Sequence, residues 1–289
     1  MIGNNFFKLP SWLKKLEEEH DDFFRLPPGA VESLKEQLKK YSVENPEVTI
    51  AIPAYNEEKN IAKTLASFAR MNPKHKTELL VVNNNSKDRT KEILNALGVR
   101  TIDESRQSIS FARQAGLENA KGKYFLNADA DSIYPDGWID TNVEALKNPA
   151  VVCVYGTYSF IPGEKSSRFL LALYEVVTRI LFVLRRRKMD FFNVLGFNFA
   201  FRRADGLKAG GFNTTRQRWS DGWMAMTLAQ SGRIERITDE RARVWTSDRR
   251  LVYDGGLLKA ISKRMNKEAD RYVNLPQPEA EIENLKTNS

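Results

Sequence analysis

Two aspartates, Asp129 and Asp131, stand on either side of one alanine directly after the apolar run Tyr124-Phe-Leu. Carboxylate oxygens are the ligands that hard divalent cations such as Mg²⁺ and Mn²⁺ prefer, and two of them leave coordination positions open for phosphate oxygens. Acidic residues at this spacing also occur in loops that only cap a helix, here the one near Asp136. The pair therefore indicates either a divalent metal site held by Asp131 and Asp129 or an acidic helix cap.

Two other polar clusters follow apolar runs of strand length. Pro53, Tyr55 and Glu57 come directly after the first run, and Asn84 lies among the asparagines that follow the second. A tyrosine ring can face a nucleobase, a carboxylate can reach a ribose hydroxyl, and a side-chain amide can pair with a base edge. The same residue types are common in turns and at helix N-termini, so each cluster taken singly fits either nucleotide binding or turn formation.

Strand-length apolar runs alternate with segments of helical periodicity through the first half of the chain. This alternation predicts βαβ units and therefore an α/β fold with a mostly parallel central sheet flanked by helices. Ligands bind beyond the carboxyl ends of the strands in such sheets, and all three polar clusters fall at that edge. The predicted strands are 48–52, 78–82, 99–102 and 124–126, and the predicted helices are 60–71, 87–97 and 108–120.

The second half of the chain has a less regular pattern. It predicts one strand over 151–160, an apolar helix over 167–184 and a helix that opens at Ser220. A pair of strands and a last helix near 253–272 follow.

The N-terminal residues differ from the rest of the chain in composition and in the spacing of their apolar residues. Residues 10–45 are charged and have apolar positions at helical spacing, which indicates an extension packed on another part of the protein. We therefore predict an N-terminal helical extension (1–45), one α/β domain (46–272) and a flexible tail (273–289).

The composition narrows the class of protein. A chain of 289 residues, 42% of them hydrophobic, suits one large α/β domain and is unlike a disordered chain. The formal net charge of +8 favours acidic partners such as a sugar diphosphate, an anionic lipid surface or nucleic acid. The single cysteine, Cys153, excludes an internal disulfide, and two histidines argue against a zinc cluster. The sequence opens without a signal-peptide pattern, so we predict a cytoplasmic location.

The three polar clusters together, in this order and spacing, resemble the family 2 glycosyltransferases. The family pattern is a strand followed by Pro-x-Tyr-Asn-Glu, then Val-Val-Asp-Asp/Asn-Gly/Asn-Ser-x-Asp, an arginine-rich helix and Asp-x-Asp. The match runs from about Val48 to Ile139 and continues more weakly to the Ser220-Asp221 segment. The resemblance implies a single GT-A domain of Rossmann-like architecture. It also implies transfer of a sugar from a nucleotide-diphosphate donor to an acceptor hydroxyl, usually with inversion, and a divalent metal ion.

The resemblance assigns nucleotide-binding roles to residues of this chain. Pro53, Tyr55 and Glu57 would border the nucleoside. Asn84 would contact the base, and Arg113 would lie near the nucleotide.

The remaining roles concern the metal, the substrate and catalysis. Asp131 would bind the metal, Asp129 would contact the ribose or the metal shell, and Asp221 would be the general base that deprotonates the acceptor hydroxyl. The alternative for Asp221 is an acid that favours the first turn of a helix. We place four further residues at the substrate or its diphosphate, where arginines add charge-assisted hydrogen bonds: Gly196, Asn198, Arg249 and Arg250.

The sequence departs from the family pattern at several positions. Asn83 stands where aspartate is usual, Ser220 stands where glutamate often precedes the base, and the stretch Val244–Arg250 lacks the late histidine. These departures leave open a catalytically weakened, nucleotide-sugar-binding scaffold at the membrane. A nucleotidyltransferase is another alternative, but it would favour a glycine-rich phosphate loop where this chain has Ala54-Tyr-Asn-Glu.

The apolar helix 167–184 bears on membrane contact. It carries a narrow charged stripe that includes Arg168, Glu175 and Arg179, and the basic run Arg185-Arg-Arg-Lys follows. One interpretation is an interfacial helix that lies on an anionic membrane through 168–188. The other is a core helix with a basic C-terminal end.

These features together define the expected partners. We expect a nucleotide-sugar donor, with a UDP-sugar favoured and a GDP-sugar as the alternative, and a carbohydrate or lipid-linked acceptor. We expect no nucleic acid. The expected process is the synthesis of cell-surface polysaccharide or glycolipid, either in the cytoplasm or peripherally on the inner face of the cytoplasmic membrane.

Overall fold

The computed structural model describes residues 7–163, 166–185, 190–215, 219–249 and 251, with two single positions at 259 and 262. Apart from those two single positions, the predicted last helix near 253–272 lies outside these residues, as do the predicted tail 273–289 and Arg250.

The described part of the chain alternates strands and helices as predicted for its first half. The helices are α1 (Ser11–Glu19), α2 (Pro28–Leu38), α3 (Ile61–Ala69), α4 (Thr90–Leu97), α5 (Ile109–Asn119), α6 (Trp138–Leu146), α7 (Arg168–Arg185), α8 (Arg203–Lys208) and α9 (Ser220–Leu228). The strands are β1 (Val48–Ala54), β2 (Thr77–Asn83), β3 (Arg100–Asp103), β4 (Tyr124–Asn127), β5 (Ser132–Ile133), β6 (Val151–Tyr155), β7 (Tyr158–Ile161), β8 (Phe199–Arg202), β9 (Arg233–Arg236) and β10 (Val244–Ser247).

Seven of these strands form a central sheet in the order β3-β2-β1-β4-β8-β6-β9. Neighbouring strands run parallel except at β8, which is antiparallel to both β4 and β6. β1 and β2 are buried along almost their whole length, because helices cover both faces of the sheet and both sets of alternating side chains must be apolar. The predicted α/β fold with a mostly parallel central sheet is confirmed.

Alternate residues of β1 enter two different layers of the core. Ile50 and Ile52 pack with apolar side chains of α3, α4 and α6. Ala51 points to the opposite face and joins Phe125 in a second cluster, to which α5, α7 and α9 contribute. The sheet is thus fixed between two helical layers, so the residues that follow its strands have defined positions.

The N-terminal extension packs on α3 and α4 and shares one core with the sheet. Leu13 and Leu16 of α1 are buried, and Tyr41 donates its hydroxyl proton to the carbonyl of Phe68 over 2.8 Å. Burial of a leucine side chain stabilises a fold by roughly 1.5–3 kcal/mol, so α1 contributes directly to the stability of the domain. The predicted boundary between residues 45 and 46 remains a prediction.

The predicted single strand over 151–160 is wrong, because the chain forms two strands there, β6 and β7, in different sheets. The break occurs at Gly156, where an added Cβ would lie 2.5 Å from Asn198 Nδ2 and 2.7 Å from the Ala242 carbonyl oxygen. β7 joins β5 and β10 in a second, small sheet. The predicted pairing of the last two strands is also wrong, since β9 pairs with β6 and β10 pairs with β5 and β7.

Helix α7 corresponds to the predicted apolar helix and packs on β7. Its buried residues include Leu171, Tyr174 and Glu175, so one side of the helix belongs to the core. Within the described residues, no helix combines the length and the apolar character needed to cross a lipid bilayer.

Candidate nucleotide and metal site

The carboxyl ends of β1, β2 and β4 meet at one edge of the central sheet. Their register pairs Ala54 with Asn83 and Ala51 with Asn127. The three polar clusters predicted from the sequence therefore come together at this edge. The loops after β1 and β2 are also joined to each other, because Asn56 Oδ1 accepts a hydrogen bond from the Lys87 amide over 2.8 Å.

Asp131 and Glu57 share one guanidinium group at this edge. Arg249 Nη2 donates to Asp131 Oδ2 over 2.6 Å and to both oxygens of Glu57 over 2.8 and 3.1 Å. Arg249 is the second residue after β10, and β10 pairs with β5 next to Asp131. Burial raises the pKa of the Glu57 carboxyl, although the hydrogen bond and charge of Arg249 oppose that shift. The structure thus joins two predicted site residues through a third.

A second guanidinium group lies beside Asp129. The buried side chain of Arg113, from α5, donates through Nη2 to Asp129 Oδ1 over 3.3 Å and through Nη1 to Ser220 Oγ over 3.0 Å. Gly196 permits this arrangement, because a Cβ at that position would lie only 1.6 Å from Arg113 Nη2. Arg113, Asp129 and Gly196, all predicted from the sequence, are therefore in one place.

Asp221 belongs to the same group of residues. Its Oδ2 accepts a hydrogen bond from the Gly196 amide over 2.7 Å, and its Oδ1 accepts one from the Gly222 amide over 3.0 Å. The carboxylate lies in the first turn of α9, where a negative charge is favoured by the helix dipole. Its link to Gly196 places it beside Arg113, so the position fits both the general-base interpretation and the helix-terminus alternative.

The donor atoms at this edge fit a hard divalent cation, provided that a ligand completes its coordination. Asp129 and Asp131 supply carboxylate oxygens, and among the described residues no third aspartate, glutamate, histidine or cysteine joins them in a metal-binding group. Both carboxylates already contact a guanidinium group. Mg²⁺ sites commonly combine one or two carboxylates with phosphate oxygens of the substrate. A cation held here would therefore depend on the diphosphate of a bound nucleotide.

Asn84, predicted to contact the base, is held by hydrogen bonds within the chain. It is 3% exposed. Its Nδ2 donates to the carbonyls of Glu104 and Arg106 over 3.1 and 2.8 Å, and its Oδ1 accepts from the Ser108 amide over 3.0 Å. The amide thus holds the loop that leads into α5. The predicted contact with a nucleobase is not favoured, because it would break these hydrogen bonds.

The predicted contact of Asn198 with the substrate or its diphosphate stays a prediction, and the structure gives the side chain a role in the interior. Asn198 is buried, and its Oδ1 accepts a hydrogen bond from Trp138 Nε1 over 2.8 Å. Its Nδ2 donates to the carbonyls of Thr157 and Ala242 over 2.8 and 3.1 Å. The side chain therefore joins three segments of the interior, and both its oxygen and its nitrogen are engaged there.

Pro53 and Tyr55 lie at the end of β1. Tyr55 is 46% exposed, so its ring is available to a planar ligand such as a nucleobase. The backbone of the following residue, Asn56, has a φ of 53°, which turns the chain toward Glu57. The predicted contacts of Pro53 and Tyr55 with the nucleoside are not tested by these positions and stay predictions.

Tyr134 is a residue of this site that the sequence did not indicate. Its hydroxyl oxygen accepts a hydrogen bond from the Asp129 amide over 2.8 Å, and the hydroxyl donates to the Phe197 carbonyl over 2.9 Å. Burial, together with the charge of Asp129, holds the pKa of Tyr134 well above its usual value, so the hydroxyl stays protonated. Tyr134 thus fixes the backbone at Asp129. Its sequence signal is weak, since a tyrosine near an acidic pair has no distinctive spacing.

A pocket of about 180 Å³ lies beside Asp131, with Arg249, Asp248 and Gly163 among its lining residues. A larger cavity of about 580 Å³ lies between α1, α2 and α3. Its lining includes no residue of the three polar clusters. The smaller pocket is therefore the one that belongs to the candidate site.

Comparisons with known proteins identify the family of the chain. The family described as Glycosyl transferase family 2 matches residues 49–206, more than half of the chain. Glycosyltransferase AglE of Haloferax volcanii is 34% identical over 122 residues, which are 40% of this chain and 40% of that protein. Dolichol-phosphate mannosyltransferase of Saccharomyces cerevisiae is 35% identical over 113 residues, 36% of this chain and 42% of that protein. The matches thus span about two fifths of the length of these relatives.

The fold is shared with solved structures. Mannosyltransferase PcManGT from Pyrobaculum calidifontis, solved in complex with GDP-Man and Mn²⁺, superposes with a TM-score of 0.55 at 21% identity. The superposition covers 75% of this chain and 64% of that one, and it supports the GT-A fold. With the family match over residues 49–206 and the polar clusters at the carboxyl edge of the sheet, the chain belongs to glycosyl transferase family 2.

Proposed function

We propose that the chain transfers a sugar from a nucleotide-diphosphate donor to an acceptor hydroxyl, with a divalent metal ion bound by Asp131 and Asp129. The proposal rests on the meeting of two carboxylates and two guanidinium groups at one edge of the sheet. Carboxylates suit a hard cation, and guanidinium groups suit the phosphate oxygens that such a cation would share. The four groups come from three separate segments, since the two carboxylates share the stretch after β4, so their convergence is a property of the fold.

The residues of the chain would act on the donor through charge. When bound, the metal supplies Lewis-acid neutralisation of the charge on the departing diphosphate. Arg249 would exchange its contacts with Asp131 and Glu57 for contacts with phosphate oxygens. Arg113 would hold Asp129 in place, because its guanidinium is fixed between that carboxylate and Ser220.

Asp221 would act on the acceptor. As the acceptor oxygen forms its bond to the anomeric carbon, the bond from that carbon to the diphosphate oxygen breaks, and the hydroxyl proton passes to the Asp221 carboxylate. Attack opposite the leaving group inverts the anomeric carbon. The hydrogen bond from the Gly196 amide orients the carboxylate for this task.

The classes of donor and acceptor are proposed from the resemblance to the family 2 glycosyltransferases. A UDP-sugar is the favoured donor and a GDP-sugar the alternative, since one structural neighbour was solved with GDP-Man. A lipid-linked acceptor agrees with the name of the yeast relative, dolichol-phosphate mannosyltransferase, and a carbohydrate acceptor is the alternative. The proposed process is the synthesis of cell-surface polysaccharide or glycolipid at the inner face of the cytoplasmic membrane.

A thermal-shift panel of UDP-, GDP- and dTDP-sugars, each with and without Mn²⁺, tests the proposal. A ligand that binds only the folded state raises the melting temperature, and the rise grows as its concentration exceeds its dissociation constant, so the true donor should stand out in the presence of metal. A panel in which no sugar nucleotide raises the melting temperature, with or without Mn²⁺, would contradict the proposal.

A further inference from the structure

Helix α7 buries charged residues and exposes apolar ones. The buried carboxylate of Glu175 accepts hydrogen bonds from Arg168 over 2.5 and 2.9 Å and from Ser159 Oγ of β7 over 3.0 Å. A helix on the surface of a globular protein normally shows the opposite arrangement, with its polar side toward water. The charged side chains of Arg168 and Glu175 therefore pair with each other on the inner side of α7.

The outer side of α7 is a row of large apolar side chains. Phe169, Leu173, Ile180 and Val183 follow one another at intervals of four, seven and three residues, with Leu170 beside them, and they are 45–58% exposed. Residues at such intervals lie along one side of a helix, so the row extends for about 21 Å. We call these five residues the α7 row.

An aromatic residue from the N-terminal region extends the row. Phe7 stacks on Phe169 with ring centroids 5.6 Å apart and is itself exposed. Together the six side chains expose on the order of 500 Å², which is within the range of the largest apolar patch of a typical monomer, a patch that is often functional, and below the ~800 Å² that each partner contributes to a stable protein interface. The patch is thus better suited to a lipid surface than to a second copy of the chain.

Charge favours an anionic surface as the occupant. The chain carries a formal net charge of +8, and the sequence continues from the end of α7 at Arg185 with Arg186, Arg187 and Lys188. Those last three residues lie outside the described part of the chain and are not counted in the surface. Apolar side chains that enter the interface and a basic protein that attracts anionic lipid add to each other in peripheral binding.

We propose that the α7 row and Phe7 form a docking surface for an anionic lipid bilayer. The proposal is independent of glycosyl transfer, since it concerns binding alone. It also has a consequence for the candidate site. Gly163, which lines the pocket beside Asp131, is separated by only four residues from the start of α7 at Arg168. The docked helix is therefore close in sequence to the lining of the pocket.

Co-sedimentation of the 289-residue chain with vesicles tests the proposal. We expect binding to phosphatidylcholine vesicles that contain phosphatidylglycerol at low salt, weaker binding at high salt, and little binding to pure phosphatidylcholine. Combined replacement of three row residues, Phe169→Ser, Leu173→Ser and Ile180→Ser, should lower the partition coefficient at least ~10-fold. Leu207→Ser on α8, also an exposed leucine, is the matched control and should bind like wild type.

A melting curve for each variant checks folding. If the triple variant does not fold, the single change Ile180→Ser tests the docking surface instead. The single change should still lower the partition coefficient several-fold. Three results would overturn the proposal: no wild-type binding to anionic vesicles at low salt, equal binding to both vesicle types, or row variants that bind like wild type. A dimer in light scattering that the row variants abolish, without vesicle binding, would make the α7 row an interface between copies.

Discussion

The guanidinium group of Arg249 lies between Asp131 and Glu57, where a metal ion would also bind. Replacement of Arg249 therefore tests whether the guanidinium group competes with the metal. Its side chain is 49% exposed, and those of Asp131 and Glu57 are 18% and 15% exposed. Ion pairs with an exposed partner contribute roughly 0–1 kcal/mol each, so the two pairs together hold Arg249 in place by about 1 kcal/mol. A metal ion that binds Asp131 without a donor must displace this contact.

Arg249→Met removes the competing charge and keeps much of the side-chain volume. Since 1.4 kcal/mol corresponds to a tenfold change in affinity, donor-free protein should bind Mn²⁺ about three- to tenfold more tightly after the change. The affinity for donor in the presence of metal should fall, because the diphosphate loses a charge-assisted hydrogen bond. Titration of Mn²⁺, followed by the electron paramagnetic resonance signal of the free ion, measures the first effect and calorimetry measures the second.

Arg241→Met is the matched control, because Arg241 pairs with Asp239 in an exposed turn and is not part of the site. The control should leave both affinities unchanged. Mn²⁺ affinity that stays the same or falls in Arg249→Met would refute the competition between the guanidinium group and the metal.

Two further changes test individual residues. Asn198→Ala should lower the free energy of unfolding by roughly 2–4 kcal/mol, because it leaves the buried Trp138 Nε1–H without its acceptor, and it should leave donor affinity of the folded protein unchanged. Denaturant unfolding and calorimetry measure these effects, and weaker donor binding at unchanged stability would restore the predicted substrate contact. Asp221→Asn should slow transfer about 10²- to 10⁴-fold if the carboxylate is the base, with a stability change of at most about 1 kcal/mol. Turnover near the wild-type rate, with the melting temperature as the folding control, would make Asp221 a helix-terminus residue.

The central sheet was predictable because its strands are buried on both faces. A continuous run of β-branched residues such as that of β1 predicts a strand that is buried on both faces. Helices must then cover both faces of the sheet. The clustering of the polar residues followed from parallel topology, which brings the carboxyl ends of neighbouring strands to one edge. These inferences use local pattern alone.

The errors arose where distant segments decide the structure. Nothing local to 151–160 indicates that Gly156 must pass close to Asn198, which is what separates β6 from β7. The amides of Asn84 and Asn198 suit a ligand or a backbone carbonyl equally well, and their partners become known only in the folded chain. Arg249 was predicted to lie near the diphosphate, but its contact with Asp131, 118 residues away, was beyond sequence reasoning.

The metal-dependent binding of the donor is the central claim, and isothermal titration of the best-stabilising sugar nucleotide into wild type and Asp131→Ala tests it most directly. Asp136→Ala, which removes an exposed acid between β5 and α6, is the matched control. Wild type and control should bind the donor tightly with Mn²⁺ and at least ~10-fold more weakly with a chelator, whereas Asp131→Ala should bind it weakly in both conditions. Equal affinity of wild type with Mn²⁺ and with chelator, or an Asp131→Ala protein that still responds to Mn²⁺ like wild type, would contradict the account.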